Sequence, residues 1–156
     1  MIDPGKLEAA ADIASTVAHH LGQFIERDFK VWRPEVRRDM LNARRDALLI
    51  EAALTMLREC MAFVDGWTDT GTARGFAHEV LTEAGERAER TRDLLVTADH
   101  TFAADTNWPK AATVRRLGGD RMALIERDTM TWPLFLDIAA DLLPMIRELL
   151  GDFDVA

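Results

Sequence analysis

Between residues 72 and 104, apolar residues recur at helical spacing and carboxylate side chains fall between them. A rotation of 100° per residue places four of these carboxylates on one face of the predicted helix: Glu79, Glu83, Glu86 and Asp93. They would form a divalent-cation site only if that face pointed into a bundle. Because the apolar series from Ala77 to Phe102 lies about 180° away on the helix, we expect the four carboxylates to face water.

The Glu83-x-x-Glu86 spacing resembles part of a metal-binding helix of the all-α nucleotide pyrophosphohydrolases. The resemblance implies Mg²⁺ held between carboxylates inside a helical bundle, with Glu83 and Glu86 as candidate ligands. The second carboxylate pair of that family has no counterpart at the same spacing, and Asp137 and Asp141 come nearest. A metal-dependent, nucleotide-hydrolysing or otherwise ligand-binding bundle is therefore the alternative function.

Other catalytic patterns are missing from the sequence. The four histidines have no Asp or Glu three or four residues away, the spacing that acid–base and metal sites on helices use. There is no Gly-x-Ser-x-Gly motif and no phosphate-binding glycine-rich loop. The single cysteine, Cys60, lies in an apolar run typical of a packed thiol. The sequence thus predicts no cofactor and favours a non-catalytic protein.

Arginines are clustered in the first half of the second predicted helix. With Val36 at heptad position d, two arginines fall at e, two acidic residues at g and two further arginines on the outer side. The candidate partner-binding residues are Arg37, Arg38, Arg44 and Arg45. They indicate either pairing with neighbouring helices of the same chain or a docking surface for an acidic partner or a second copy.

Tryptophans stand at the predicted helix junctions, at positions 32, 67, 108 and 132. If consecutive long helices are antiparallel, Trp32 and Trp108 share one end of the bundle. They would then close the end of the core or line a pocket for a flat or apolar ligand, and the sequence leaves both open.

The elements that must position these groups are helices. Apolar residues in steps of three and four predict a first helix over about 5–30 and a long antiparallel hairpin over about 34–66 and 72–104. Residues 120–128 fit either a short helix or a strand. A final helix begins near residue 131, and Pro144 should kink it. We predict an all-α, up-and-down bundle of four to five helices around the long hairpin, forming one domain over 1–156.

The amino-acid composition argues against further classes of function. The chain has 156 residues and a net charge of −8, so a nucleic-acid ligand is not expected. No apolar stretch approaches the ~20 residues of a membrane span, and one cysteine allows no internal disulfide, so a cytoplasmic location is expected. The sequence therefore predicts an adaptor, assembly factor or regulator that binds protein and self-associates. Part of the long hairpin is expected to project from the core or to pair with another chain.

Overall fold

The computed structural model describes residues 3–27, 34–103 and 132–153. These residues form five α-helices: α1 (Pro4–Arg27), α2 (Pro34–Phe63), α3 (Gly71–Ala103), α4 (Trp132–Ala139) and α5 (Leu142–Asp152). A single 3₁₀ turn, Trp67–Asp69, lies between α2 and α3. The predicted all-α bundle is confirmed. The prediction for residues 120–128 lies outside the described residues.

The first helix begins where the sequence offers a capping residue. The Gly5 backbone N–H donates to Asp3 Oδ1 at 2.8 Å, and Pro4 occupies the first helical position, where no N–H is needed. One face of α1 is fully buried at three- and four-residue steps, including Leu7, Ala14 and Leu21. Burial of this face fixes α1 against the rest of the bundle.

The hairpin of α2 and α3 follows the predicted bounds closely. Gly66, in the connection, has φ 67°, a left-handed conformation in which a Cβ would stand 2.9 Å from Asp69 Oδ2. At the start of α3, the Thr70 hydroxyl accepts a hydrogen bond from the Ala73 N–H at 3.2 Å. The buried positions of α2 run from Val36 to Leu57, and the half-buried Met61 in its last turn packs against the same core, so the hairpin does not stand free.

The last helical segment described, which we call the final arm, differs from the single kinked helix that the sequence predicts. It is broken at Ala140–Asp141 into α4 and α5, a few residues before Pro144. Pro144 has no N–H to donate to the Ala140 carbonyl, and its ring crowds that carbonyl. The break places Pro144 in the first turn of α5, where the missing donor costs little.

The described helices form four arms, which are α1, α2, α3 and the broken arm α4–α5. Successive arms run in opposite directions. Lys6, in the first turn of α1, forms ion pairs with Glu148 at 3.0 Å and Asp152 at 3.2 Å near the end of α5. At the other end of the bundle, the Trp132 indole at the start of α4 donates to Asp99 near the end of α3 at 3.0 Å. The helices contact one another in the order α1, α2, α3 and α4–α5, which places α2 diagonally across from the broken arm.

The core of the described residues has two main parts along the bundle axis, beside a small group of Leu134 and Ile138. One, near the hairpin connection, contains Leu54, Leu81 and Ile146, and the other contains Phe24, Met40 and Phe135. Alanines on the facing sides of α1, α2 and α3 let these helices approach closely. No described helix is long and apolar enough to cross a lipid bilayer.

Candidate interaction surface

The four candidate arginines of α2 do not form one cluster. Arg37 is half-buried and Arg44 is exposed, and both lie on the side of α2 that faces α1. Arg44 crosses α1 closely, because its Nε lies 3.2 Å from where a Cβ on Gly22 would stand. Arg38 and Arg45 are exposed about 100° further around α2, on its outer side. Only this second pair is therefore oriented away from the bundle.

Arg45 belongs to a row of exposed residues that we call the outer face of α2. On the helix its members lie within about 60° of a common direction, roughly opposite the buried Met40, Ala47 and Leu54. Every member is exposed to solvent. The outer face consists of Leu41, Arg45, Leu48, Leu49, Ala52, Met56, Glu59 and Phe63.

Large apolar side chains dominate this face. Leu41, Leu48 and Met56 have 44, 42 and 39% of their surface exposed, and Phe63 has 83%. Single exposed apolar residues are ordinary on protein surfaces, but several large ones on the same side of one helix make this face a candidate contact surface. Residues 41–63 span about 33 Å at 1.5 Å per residue, so the row covers most of α2.

A shallow groove borders the outer face where α2 meets α3. It encloses about 180 Å³ and is lined by Leu49, Ala53 and Val80, with Glu83 and Arg87 at its polar edge. The exposed Phe76 of α3 packs edge-on against Trp67, with ring centroids 6.5 Å apart. An exposed apolar side chain therefore also lies on α3, near the hairpin connection.

Behind this groove, a buried carboxylate joins α2 to α3. Asp46 is 2% exposed and accepts hydrogen bonds from Arg87 Nη1 at 3.2 Å and from Arg90 Nη2 at 3.1 Å. Arg87 also donates to Glu83 at 2.8 Å. The hydrogen bonds to Glu83 and then Asp46 raise the pKa of Arg87 against the opposing effect of burial. Asp46, one of the two acidic residues predicted at heptad position g of α2, therefore pairs within the chain.

The four carboxylates predicted on one face of α3 lie where the helical geometry predicts. Glu79, Glu83, Glu86 and Asp93 are all exposed. The Glu83 carboxylate already shares its charge with Arg87, which lowers its capacity to hold a cation. Among the described residues no three His, Cys, Asp or Glu side chains are grouped as a metal site. Metal-dependent nucleotide hydrolysis stays a prediction without a described site to support it.

Trp32 and Trp108, expected either to close one end of the core or to line a pocket there, lie outside the described residues. At that end, Trp132 is 2% exposed and packs edge-on against Phe24, at 5.6 Å between ring centroids. Its indole N–H reaches Asp99. A neighbouring cleft of about 120 Å³ lies between α3 and α4, lined by Arg92, Leu95, Val96, Asp99, Leu136, Ala139 and Ala140. It is small for a ligand of drug or nucleotide size.

The outer face of α2 is the feature that the sequence reasoning missed. Besides its buried apolar face and its arginines, α2 carries a second apolar series formed by Leu41, Leu48, Met56 and Phe63. That series recurs every seven or eight residues, so a helical wheel drawn over residues 34–63 would have identified it. Comparison with protein-family models, curated protein sequences and solved structures finds no match for the chain.

Proposed function

We propose that this chain is a non-catalytic helical interaction protein that self-associates through the outer face of α2. The observation that carries the proposal is the row of large exposed apolar side chains, from Leu41 to Phe63, on the outside of an otherwise filled bundle. Burying such a row against a partner removes apolar surface from water at about 25 cal/mol per Å². A role as an adaptor, assembly factor or regulator fits a protein whose prominent surface is a contact surface.

The outer face is also compatible with a reversible contact. A contact about 33 Å long and one helix wide buries on the order of 1,000 Å² in total, the lower limit for specific protein interfaces. Interfaces of this size give affinities that depend on a few well-packed side chains, and micromolar dissociation constants are common among them. We therefore expect an equilibrium between monomer and dimer rather than a permanent assembly.

Light scattering coupled to size-exclusion chromatography, with sedimentation velocity, tests the proposal. Between about 5 and about 200 µM the weight-average mass should rise towards twice the 17.5 kDa of one chain. Leu48→Glu with Met56→Glu should abolish that rise, because four carboxylates would then lie in the contact per dimer.

Val96→Glu is the matched control, because Val96 is 48% exposed but lies on α3, away from the outer face. Val96→Glu should associate as the wild type does. The proposed function is wrong if the wild-type chain stays monomeric at the highest concentration. It is also wrong if the Leu48/Met56 double variant and the control associate equally well.

A further inference from the structure

Seven of the eight members of the outer face are spaced symmetrically about Ala52, and the eighth, Leu49, has Thr55 at its matching position. Ala52 has Met56 four residues after it and Leu48 four before, Glu59 seven after and Arg45 seven before. Phe63 and Leu41 follow at eleven residues on either side. An antiparallel helix related by a two-fold axis would therefore place the large apolar residues at these positions level with each other and Arg45 level with Glu59. Leu49 would lie level with Thr55.

We propose, on the basis of the proposed function, that the partner is a second copy of this chain. The second copy docks antiparallel along α2, with the two-fold axis at Ala52. In this register residue n of one copy lies level with residue 104 minus n of the other. Leu48 meets Met56 of the second copy, and Leu41 meets Phe63 of the second copy. The contact is isologous, so each of these pairs occurs twice in the dimer.

Charge complementarity selects this orientation over a parallel one. Arg45 is level with Glu59 of the second copy, and both side chains are exposed and form no ion pair with the other described residues. Arg38 of one copy is level with Gly66 of the other, so the neighbouring Asp65 is only one residue away from the matching position. A parallel pair would instead set Arg45 against Arg45 and Glu59 against Glu59, which is repulsive. The antiparallel pair also opposes the two helix dipoles favourably.

The small residue at the centre allows the two helices to approach. Ala52 is exposed and has only a methyl group, so the helix axes can come within about 8–10 Å of each other. Arg45 and Glu59 together add no net charge to the outer face, although the whole chain carries −8. Contact here brings two acidic proteins together where their mutual repulsion is weak.

Cysteine cross-linking in the full chain tests the register, using a Cys60→Ser background to remove the native thiol. Ala52→Cys should form a disulfide dimer on mild oxidation, because Cα atoms facing each other across the axis would lie about 4–6 Å apart. Glu59→Cys should not cross-link, because its own copy would be about 21 Å away along the helix. Arg45→Cys mixed with Glu59→Cys should give a cross-linked heterodimer.

Charge reversal supplies an independent measurement. Arg45→Glu and Glu59→Arg should each weaken dimerisation about tenfold, because each creates two like-charged pairs per dimer. The double variant restores both pairs with reversed polarity and should return within about threefold of the wild type. Arg147→Glu, on the exposed side of α5, is the control and should leave the dimerisation constant unchanged.

The outcomes separate this inference from the proposed function. A dimer in which Glu59→Cys cross-links to itself, or in which the double charge variant stays as weak as the singles, overturns the antiparallel register while self-association through α2 stands. A strict monomer overturns both, whatever other segment or partner covers the outer face. Cross-linking at Ala52 with recovery in the double charge variant supports the two-fold contact.

Discussion

Arg87 of α3 donates a hydrogen bond to Asp46 of α2 across the hairpin, with 3.2 Å between Arg87 Nη1 and Asp46 Oδ1. Asp46 is buried between the two parts of the core, whereas Arg87 keeps 23% of its side chain in contact with solvent. The pair therefore ties the two long arms together at mid-length. A buried carboxylate needs such partners, because an unpaired charge away from water is costly.

Replacing Asp46 by Ala should lower the free energy of unfolding by about 2–3 kcal/mol. This is less than the ~3–5 kcal/mol that follows the breaking of a fully buried pair, because Arg87 and Arg90 can turn towards water. Urea denaturation followed by circular dichroism measures the loss at one fixed protein concentration. Asp93→Ala, at an exposed position of α3, should change stability by no more than about 0.5 kcal/mol. Equal losses in the two variants would mean that the cross-hairpin pair adds no stability.

Replacing Trp132 by Phe should lower the free energy of unfolding by about 1–2 kcal/mol. The phenyl ring retains the packing against Phe24 and Phe135 but cannot donate to Asp99, which then loses a partner. Asp99→Asn keeps an acceptor for the indole N–H and should cost less than half as much. Thermal and urea unfolding of the three proteins check this order. An Asn variant as unstable as the Phe variant would point to the charge of Asp99, and not the hydrogen bond, as the source of stability.

Gly85 to Ala should raise the free energy of unfolding by about 0.5–1 kcal/mol. Gly85 lies inside α3, where glycine costs helix stability, and an added Cβ would stand 3.7 Å from Ile146 Cγ2, an ordinary contact distance. Gly75→Ala is the comparison, because no atom lies within 4 Å of its Cβ position. Urea denaturation should show that Gly85→Ala gains at least as much as Gly75→Ala. A destabilised Gly85→Ala would mean that α3 and α5 pack more closely than this distance indicates.

Lys6 to Gln should lower the melting temperature slightly at low salt. Hydrogen bonds to Glu148 and then Asp152 raise the pKa of Lys6 above its ordinary value of 10.5. A raised lysine pKa contributes stability below that ordinary value and loses it as the pH rises through the folded-state pKa. Differential scanning calorimetry should therefore find a constant difference from wild type between about pH 7 and 9 that shrinks above about pH 10.5. Added salt at about 0.5 M should also shrink it, and a salt-independent difference would contradict an ion-pair origin.

The helices could be predicted from the sequence because each carries one buried face whose period is visible in the residues themselves. The hairpin bounds, the alternation of the arms and the exposed side of Glu83 follow from that period. The sequence predicts a kink at Pro144, and the helix instead breaks at Ala140–Asp141, because the proline acts on the carbonyl four residues upstream. Burial of Asp46 was not predictable, because it depends on Arg87 and Arg90 of α3 lying level with it across the hairpin. The outer face is harder to predict, because α2 is apolar on two sides and its buried series is the longer of the two.

The ion pairs of Lys6 with α5 have a topological consequence. Because the start of α1 and the end of α5 lie side by side, a short peptide could join them into a circular chain without moving any helix. Such a chain could be reopened in the connection around Gly66, where no helix would be cut. The resulting circular permutant would run α3, α4, α5, α1, α2 and retain every packed contact, with the hairpin formed by its first and last helices. Folding of that permutant would show that the bundle depends on which helices are neighbours, and not on the order in which they are synthesised.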